Sequence, residues 1–260
     1  WALPYWNYLG PESQYEIPPA FTQATLPDGT TPNPLFVAAR YGPNNNGNIF
    51  IPVPPVSLAC MSNDLYTGSN AATPRPGFGG PQTGFSHNGN VSGNLESNPH
   101  NQVHVDVGGN APDGATWGLM SDPGIAALDP VFYLHHSNID RMWAQWNTDG
   151  NINPTLSNWL NGPPATGERA FVMPMPGGTS WVYTPADVDA LQQLNYTYDD
   201  LSAAVSMLGA SSALSVRLQK LGVRSMATES QDSGKDRNSS KDTSTDSELV
   251  GAHDGALLVK

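Results

Sequence analysis

"DPVFYLHHSNIDRMWAQW", residues 129–146, opens on an acid and a proline and carries two adjacent histidines inside an apolar stripe. Asp is a residue type that accepts the free N–H groups of a first helical turn. Proline suits the first helical position, where an N–H would be unpaired anyway. Val131, Leu134, His135, Met142 and Trp146 recur near helical period, which predicts a helix with one buried face. Upstream, "SNPHNQVHVDVGG", residues 97–109, repeats the device, with Asn98 as cap, Pro99 at the first position and Gly108–Gly109 as the stop. Both helices begin with a fixed geometry just ahead of histidines.

Residues four apart share one helix face, so His100 and His104 can hold one ion between them. A zinc peptidase would carry Glu directly after the first His as general base; Asn101 stands there, so that motif fails. An all-imidazole set without Cys or carboxylate suits copper, zinc or iron. Of His135 and His136, only one can face the same way as its partners. His136 and Asp140 share a face, an arrangement in which the acid orients the ring through its other nitrogen. His87, in "GFSHNGN", reads as a loop hydrogen-bonder, and His253 is remote from the site. Trp143 and Trp146 read as core, Asp140 and Arg141 as an ion pair or a support for the site, and Cys60 as a buried thiol.

Outside these helices, Gly 26 and Pro 24 of 260 residues, with only 13% charged, predict a core wrapped in ordered loops. Residues 1–95 read as coil with short turns of helix. "GERAFVMPMPGG" reads as extended, and "TPADVDALQQL" as a short helix capped by Thr184 with Pro185 behind it. From about Ser202 the chain becomes small and weakly apolar and then polar, mixed in charge and aromatic-free, a linker over residues 202–247 expected to be largely disordered. "ELVGAHDGALLVK", residues 248–260, becomes apolar again with strand-like character. The net charge of −12 and the lack of any Lys/Arg cluster exclude a nucleic-acid phosphate track, and nothing supports a membrane-surface role. No apolar run approaches the roughly 20 residues that span a bilayer, and a lone Cys says little about compartment.

"NPHNQVH", followed 32 residues later by the second His of "DPVFYLHHSNIDRMWAQW", resembles the second copper half-site, CuB, of the tyrosinase, catechol oxidase and polyphenol oxidase family. "ALPYWNY", residues 2–8, resembles the stretch that follows the first half-site, CuA. "NYTYDDL", residues 195–201, resembles the tyrosine motif closing the catalytic domain. The resemblance covers most of residues 1–201 and implies the CuB half of a type-3 copper four-helix-bundle domain, mainly α with long Pro/Gly-rich loops. It implies His100, His104 and His136 as copper ligands, with His135 turned into the core or toward a hydrogen-bond partner. Phe132 matches the aromatic facing the substrate ring. Glu96 and Asn101 match a pair that in some members holds a water thought to deprotonate monophenols, a role a carboxylate and an amide can share. A shielding residue of plant members falls near Gly124 and Ile125, where glycine leaves the site open.

The implied reaction is oxidation of o-diphenols, and in tyrosinases of monophenols, to o-quinones with O2, using two coppers held by three histidines each. This chain carries one such set, and no His precedes His87. The resemblance therefore implies a CuA set upstream of Trp1 and, at residues 248–260, the start of a β-rich domain. The chain reads as a central fragment that alone binds one copper at most and does not oxidise catechol. A haemocyanin-like O2 carrier and a mononuclear zinc or copper module are the competing readings.

Overall fold

In a computed structural model of the chain, each Asx-Pro signal starts a helix. The described residues are 4–10, 15–42, 55–67, 77–79 and 92–201, all within one compact unit, Leu3–Ser206. Helix α1 (Gln102–Gly108) continues from a wider helical turn, Glu96–Asn101. Helix α2 (Val131–Thr148) is the long element of the fold. Asp129 is extended, and its Oδ1 accepts the N–H of Val131 at 2.9 Å, so it caps α2 as expected.

Asn98 differs from its expected role. Its backbone is extended (φ −156°, ψ 120°), breaking the helix as a cap would. Its side chain, however, turns away from α1: Oδ1 accepts the N–H of Ser57 at 2.9 Å and Nδ2 donates to the Pro55 carbonyl at 2.7 Å. Those backbone groups lie in a loop with no strand partner of its own, so the amide satisfies them instead of the helix end.

The apolar stripe of α2 is buried in two places. Val131 and Leu134 pack with Val103 and Val107 of α1, with Met120, and with Trp6, Tyr8, Ile17 and Val56 from the N-terminal coil. One turn and more further on, Met142 and Trp146 pack with Cys60 and Phe78, the Phe78 and Trp146 rings stacking at 4.6 Å. Coil thus covers helix, as the Pro- and Gly-rich composition predicts. Cys60 is the buried thiol expected of it, and burial pushes its pKa up to about 12.

A buried ion pair ties the start of α2 to this coil. Arg40 grips Asp129 through Nε (2.8 Å) and a terminal nitrogen (2.7 Å), both side chains fully inaccessible. Further along, Asp140 and Arg141 take different partners. Arg141 donates to Asn138 Oδ1 (2.9 Å) and the Asp200 carbonyl (3.2 Å) and lies over the Tyr5 ring. Asp140 Oδ2 accepts from the hydroxyls of Tyr196 and Tyr198, each at 2.6 Å. The carboxylate that the sequence assigns to His136 therefore anchors the "NYTYDDL" segment.

Beyond α2 lies a short helix, α3 (Ser157–Asn161). The stretch expected to be extended forms strand β1 (Phe171–Met175), paired antiparallel with β2 (Thr179–Tyr183) through a turn in which Gly177 and Gly178 both take positive φ. "TPADVDALQQL" is not one helix but two, α4 (Pro185–Val188) and α5 (Leu191–Leu194), interrupted where Ala190 is extended. The Thr184 cap holds, its N–H and hydroxyl both meeting the Asp187 carboxylate. The described chain is mainly helical, with long loops and one small sheet. None of its helices is long and apolar enough to cross a membrane. His87, His253, the linker 202–247 and the segment 248–260 lie outside the described residues.

Candidate metal centre

The turn Glu96–Asn101 delivers His100, helix α1 delivers His104, and α2 delivers His135 and His136. Each of the four offers one ring nitrogen within 4.8 Å of the others. The Nε2 atoms of His104 and His136 stand 3.2 Å apart, a separation at which both can face one ion.

Local packing fixes the rings. Gly108, at the end of α1, and Gly118 come so close that a Cβ on Gly118 would lie 2.0 Å from the Gly108 carbonyl oxygen. This approach seats the following turn, Leu119–Ser121, beside α1, and its Met120 carbonyl accepts a hydrogen bond from His104 Nδ1 at 2.7 Å. A carbonyl only accepts, so the proton is on Nδ1 and Nε2 keeps its lone pair for a metal. His100 is arranged in the same way by its neighbour, with Nδ1 2.9 Å from Asn101 Oδ1. His136 is held by Phe132, one turn earlier, whose ring stacks on the imidazole at 3.9 Å and 23°.

Burial keeps these imidazoles neutral. It lowers the His100 pKa, and lowers that of His104 to about 4 and of His136 to about 3, neighbouring imidazoles adding to the effect in the last two. At neutral pH the lone pairs are free, so a metal has no protons to displace. Three neutral nitrogen donors, without thiolate or carboxylate, match the donor chemistry of copper or zinc.

His135 lies where the resemblance implies, in the core and toward a hydrogen-bond partner, the His100 backbone. It is buried, as predicted, but it does not leave the cluster: its ring centre is 5.3 Å from His100 and 5.0 Å from His104. The His100 backbone supports its ring, and the nearby Tyr8 hydroxyl, likewise buried, is partnered by the Asn138 side chain. Glu96 and Asn101 are both exposed on the turn leading into α1. Asn101 spends its oxygen on His100, while the Glu96 charge works to raise the His100 pKa against burial. Arg40, the Met120 carbonyl and Tyr8 have no signal in the sequence, because each meets its partner only through the folded chain.

Residues 1–149 match the common central domain of tyrosinase. The chain belongs to the tyrosinase family. It is 34% identical over 209 residues to tyrosinase HcTyr1 of Hahella sp. (strain CCB-MM4), covering 76% of this chain and 40% of that protein. It is 33% identical over 173 residues to the chloroplastic catechol oxidase B of Solanum tuberosum, covering 62% of this chain and 28% of that protein. Tyrosinase-family structures share the fold. A latent aurone synthase (polyphenol oxidase) aligns with a TM-score of 0.54 at 26% identity, over 81% of this chain and 41% of that one. The Grenache (Vitis vinifera) polyphenol oxidase gives 0.54 at 23%, over 77% and 58%. The chain thus spans less than half the length of the tyrosinase and catechol oxidase it matches.

Proposed function

We propose that this tyrosinase-family chain supplies one copper half-site, of CuB type, to a phenol oxidase that converts o-diphenols to o-quinones with O2. The observation that carries the reading is the convergence of His100, His104 and His136 as neutral imidazoles, with the His104 tautomer set by the Met120 carbonyl. Copper, paired with a second copper on another three-histidine set, would supply the two-electron exchange with O2.

The chain's own residues do the rest. His100, His104 and His136 would hold the metal. Phe132 keeps the His136 ring from turning and offers an apolar face beside it for the phenol ring. Asn101, with its oxygen occupied by His100, retains an NH2 group that can hold a water, and Glu96 on the same turn supplies the carboxylate to take the phenol proton.

Metal analysis and an oxygen electrode test this. The 260-residue chain should take up one copper and leave catechol untouched. Joined to a second three-histidine set, it should consume O2 with catechol and form quinone, and His136→Gln should abolish both. Two coppers and catechol oxidation in the 260-residue chain would overturn the half-site reading. No oxygen uptake by the copper-loaded two-site protein would overturn the enzyme and favour an O2 carrier.

A further inference from the structure

The hairpin of β1 and β2 contributes no residue to either buried cluster and meets solvent on both faces. Val172 and Val182 pair on one face, 57% and 60% exposed, while Met173 and Met175 lie on the other, 45% and 42% exposed. Among the described residues these are the only exposed methionines. Residues 171–183 carry no charge. Two soft sulfur donors are therefore presented to water on a surface that offers no ionic competitor.

Proline fixes how these thioethers stand. A residue before proline is confined to extended backbone, and Met173 precedes Pro174 as Met175 precedes Pro176. Met175 is accordingly extended (φ −118°, ψ 158°). Two residues apart on a strand, the side chains leave the same face about 7 Å apart. Methionine, unbranched and with three rotatable bonds, can close that gap so that both sulfurs meet one ion. Met173 stands directly opposite Trp181, and Met175 opposite Thr179, one diagonal step from the same indole. The half-buried Trp181 ring lies 5.1 Å from Tyr183, which stacks in turn on Phe171 at 5.4 Å. The aromatic base of the hairpin thus props the indole beside the two thioethers.

We propose that Met173, Met175 and Trp181 form a surface site for one soft monovalent cation, copper(I), separate from the histidine centre. Thioether sulfur is a soft donor that selects copper(I) over hard cations. Two sulfurs leave such an ion short of ligands, and the face of an indole is the best aromatic partner for a cation. The site stands on the hairpin register alone and does not depend on which imidazoles bind metal. An apolar docking surface would use the same side chains for their bulk, and leucine would serve it as well as methionine.

The test titrates the 260-residue chain, its methionine methyl groups isotope-labelled for NMR, with silver(I), a copper(I) stand-in that needs no reductant. Seven methionines give seven methyl signals, and Met173→Leu and Met175→Leu identify two of them. Those two should shift together as silver is added. In each single variant the surviving methyl should lose its shift, because one thioether alone holds the ion poorly. Trp181→Phe should keep both shifts and weaken binding roughly two- to fivefold. In competition with a copper(I) chelator, the double leucine variant should bind one copper(I) fewer than the wild type. Leucine conserves size at these exposed positions, so the melting temperature should not change. Silver bound without movement of these methyls, movement of one alone, or an equal copper(I) count in the double variant would overturn the site.

Discussion

The starts of α1 and α2 look alike in sequence, Asn98-Pro99 before His100 and Asp129-Pro130 before His135 and His136, yet they are secured in opposite ways. Asp129 both caps its helix and takes Arg40 in a buried bidentate pair. Asn98 leaves its helix uncapped and braces the loop at Pro55–Ser57 with a neutral amide. A short polar residue before proline therefore marks where a helix starts but not what its side chain holds. The charged start depends on one partner whose loss strands a buried ion. The neutral start spreads its hold over two backbone groups.

The contrast predicts unequal sensitivity. Arg40→Ala should be the largest lesion, about 3–5 kcal/mol of unfolding free energy by urea titration, because it leaves the Asp129 carboxylate buried without its counter-ion. Asn98→Ala should cost about 1–3 kcal/mol by the same titration, the worth of two backbone groups left unpaired. Equal losses would show that both starts are secured in the same manner.

A pH series probes what the starts deliver. His104 and His136 fold with pKa values of about 4 and about 3, against about 6.5 in an unfolded chain. Between those values the unfolded state binds more protons, so stability is complete above about pH 6.5 and declines as pH falls toward 4. The melting temperature of the metal-free chain should therefore drop between pH 7 and pH 4.5, and His104→Gln should flatten that drop. A pH-independent melting temperature would mean that the imidazoles are not held neutral by burial.

The smallest effect is expected at Asn101, where Asn101→Ala should change stability by no more than about 0.5 kcal/mol at an exposed position. It should nonetheless weaken metal binding about tenfold, because His100 loses the partner that fixes its tautomer. Chelator competition reads that change, and unaltered affinity would remove Asn101 from the centre.

Much of the centre was legible because it is local. The i, i+4 spacing of His100 and His104, the stacking position of Phe132 one turn before His136, and the Pro-marked helix starts are all written within a few residues. Tyrosine hydroxyls on Asp140 were not legible, because residues 196 and 198 lie 56 and 58 positions away. The same holds for the "TPADVDALQQL" helix, whose break at Ala190 no glycine or proline announces.

The sequence by itself determined the two helix starts, the histidines they carry and the membership in the tyrosinase family, since helix periodicity and turn chemistry act between near neighbours. Tertiary structure alone decided that Asn98 braces a loop while Asp129 meets Arg40, 89 residues away, that the Met120 carbonyl sets the His104 tautomer, and that His135 packs against the other three. Those outcomes depend on how α1 lies across α2 and on which coil covers them, and packing between distant segments leaves no periodic trace in the chain.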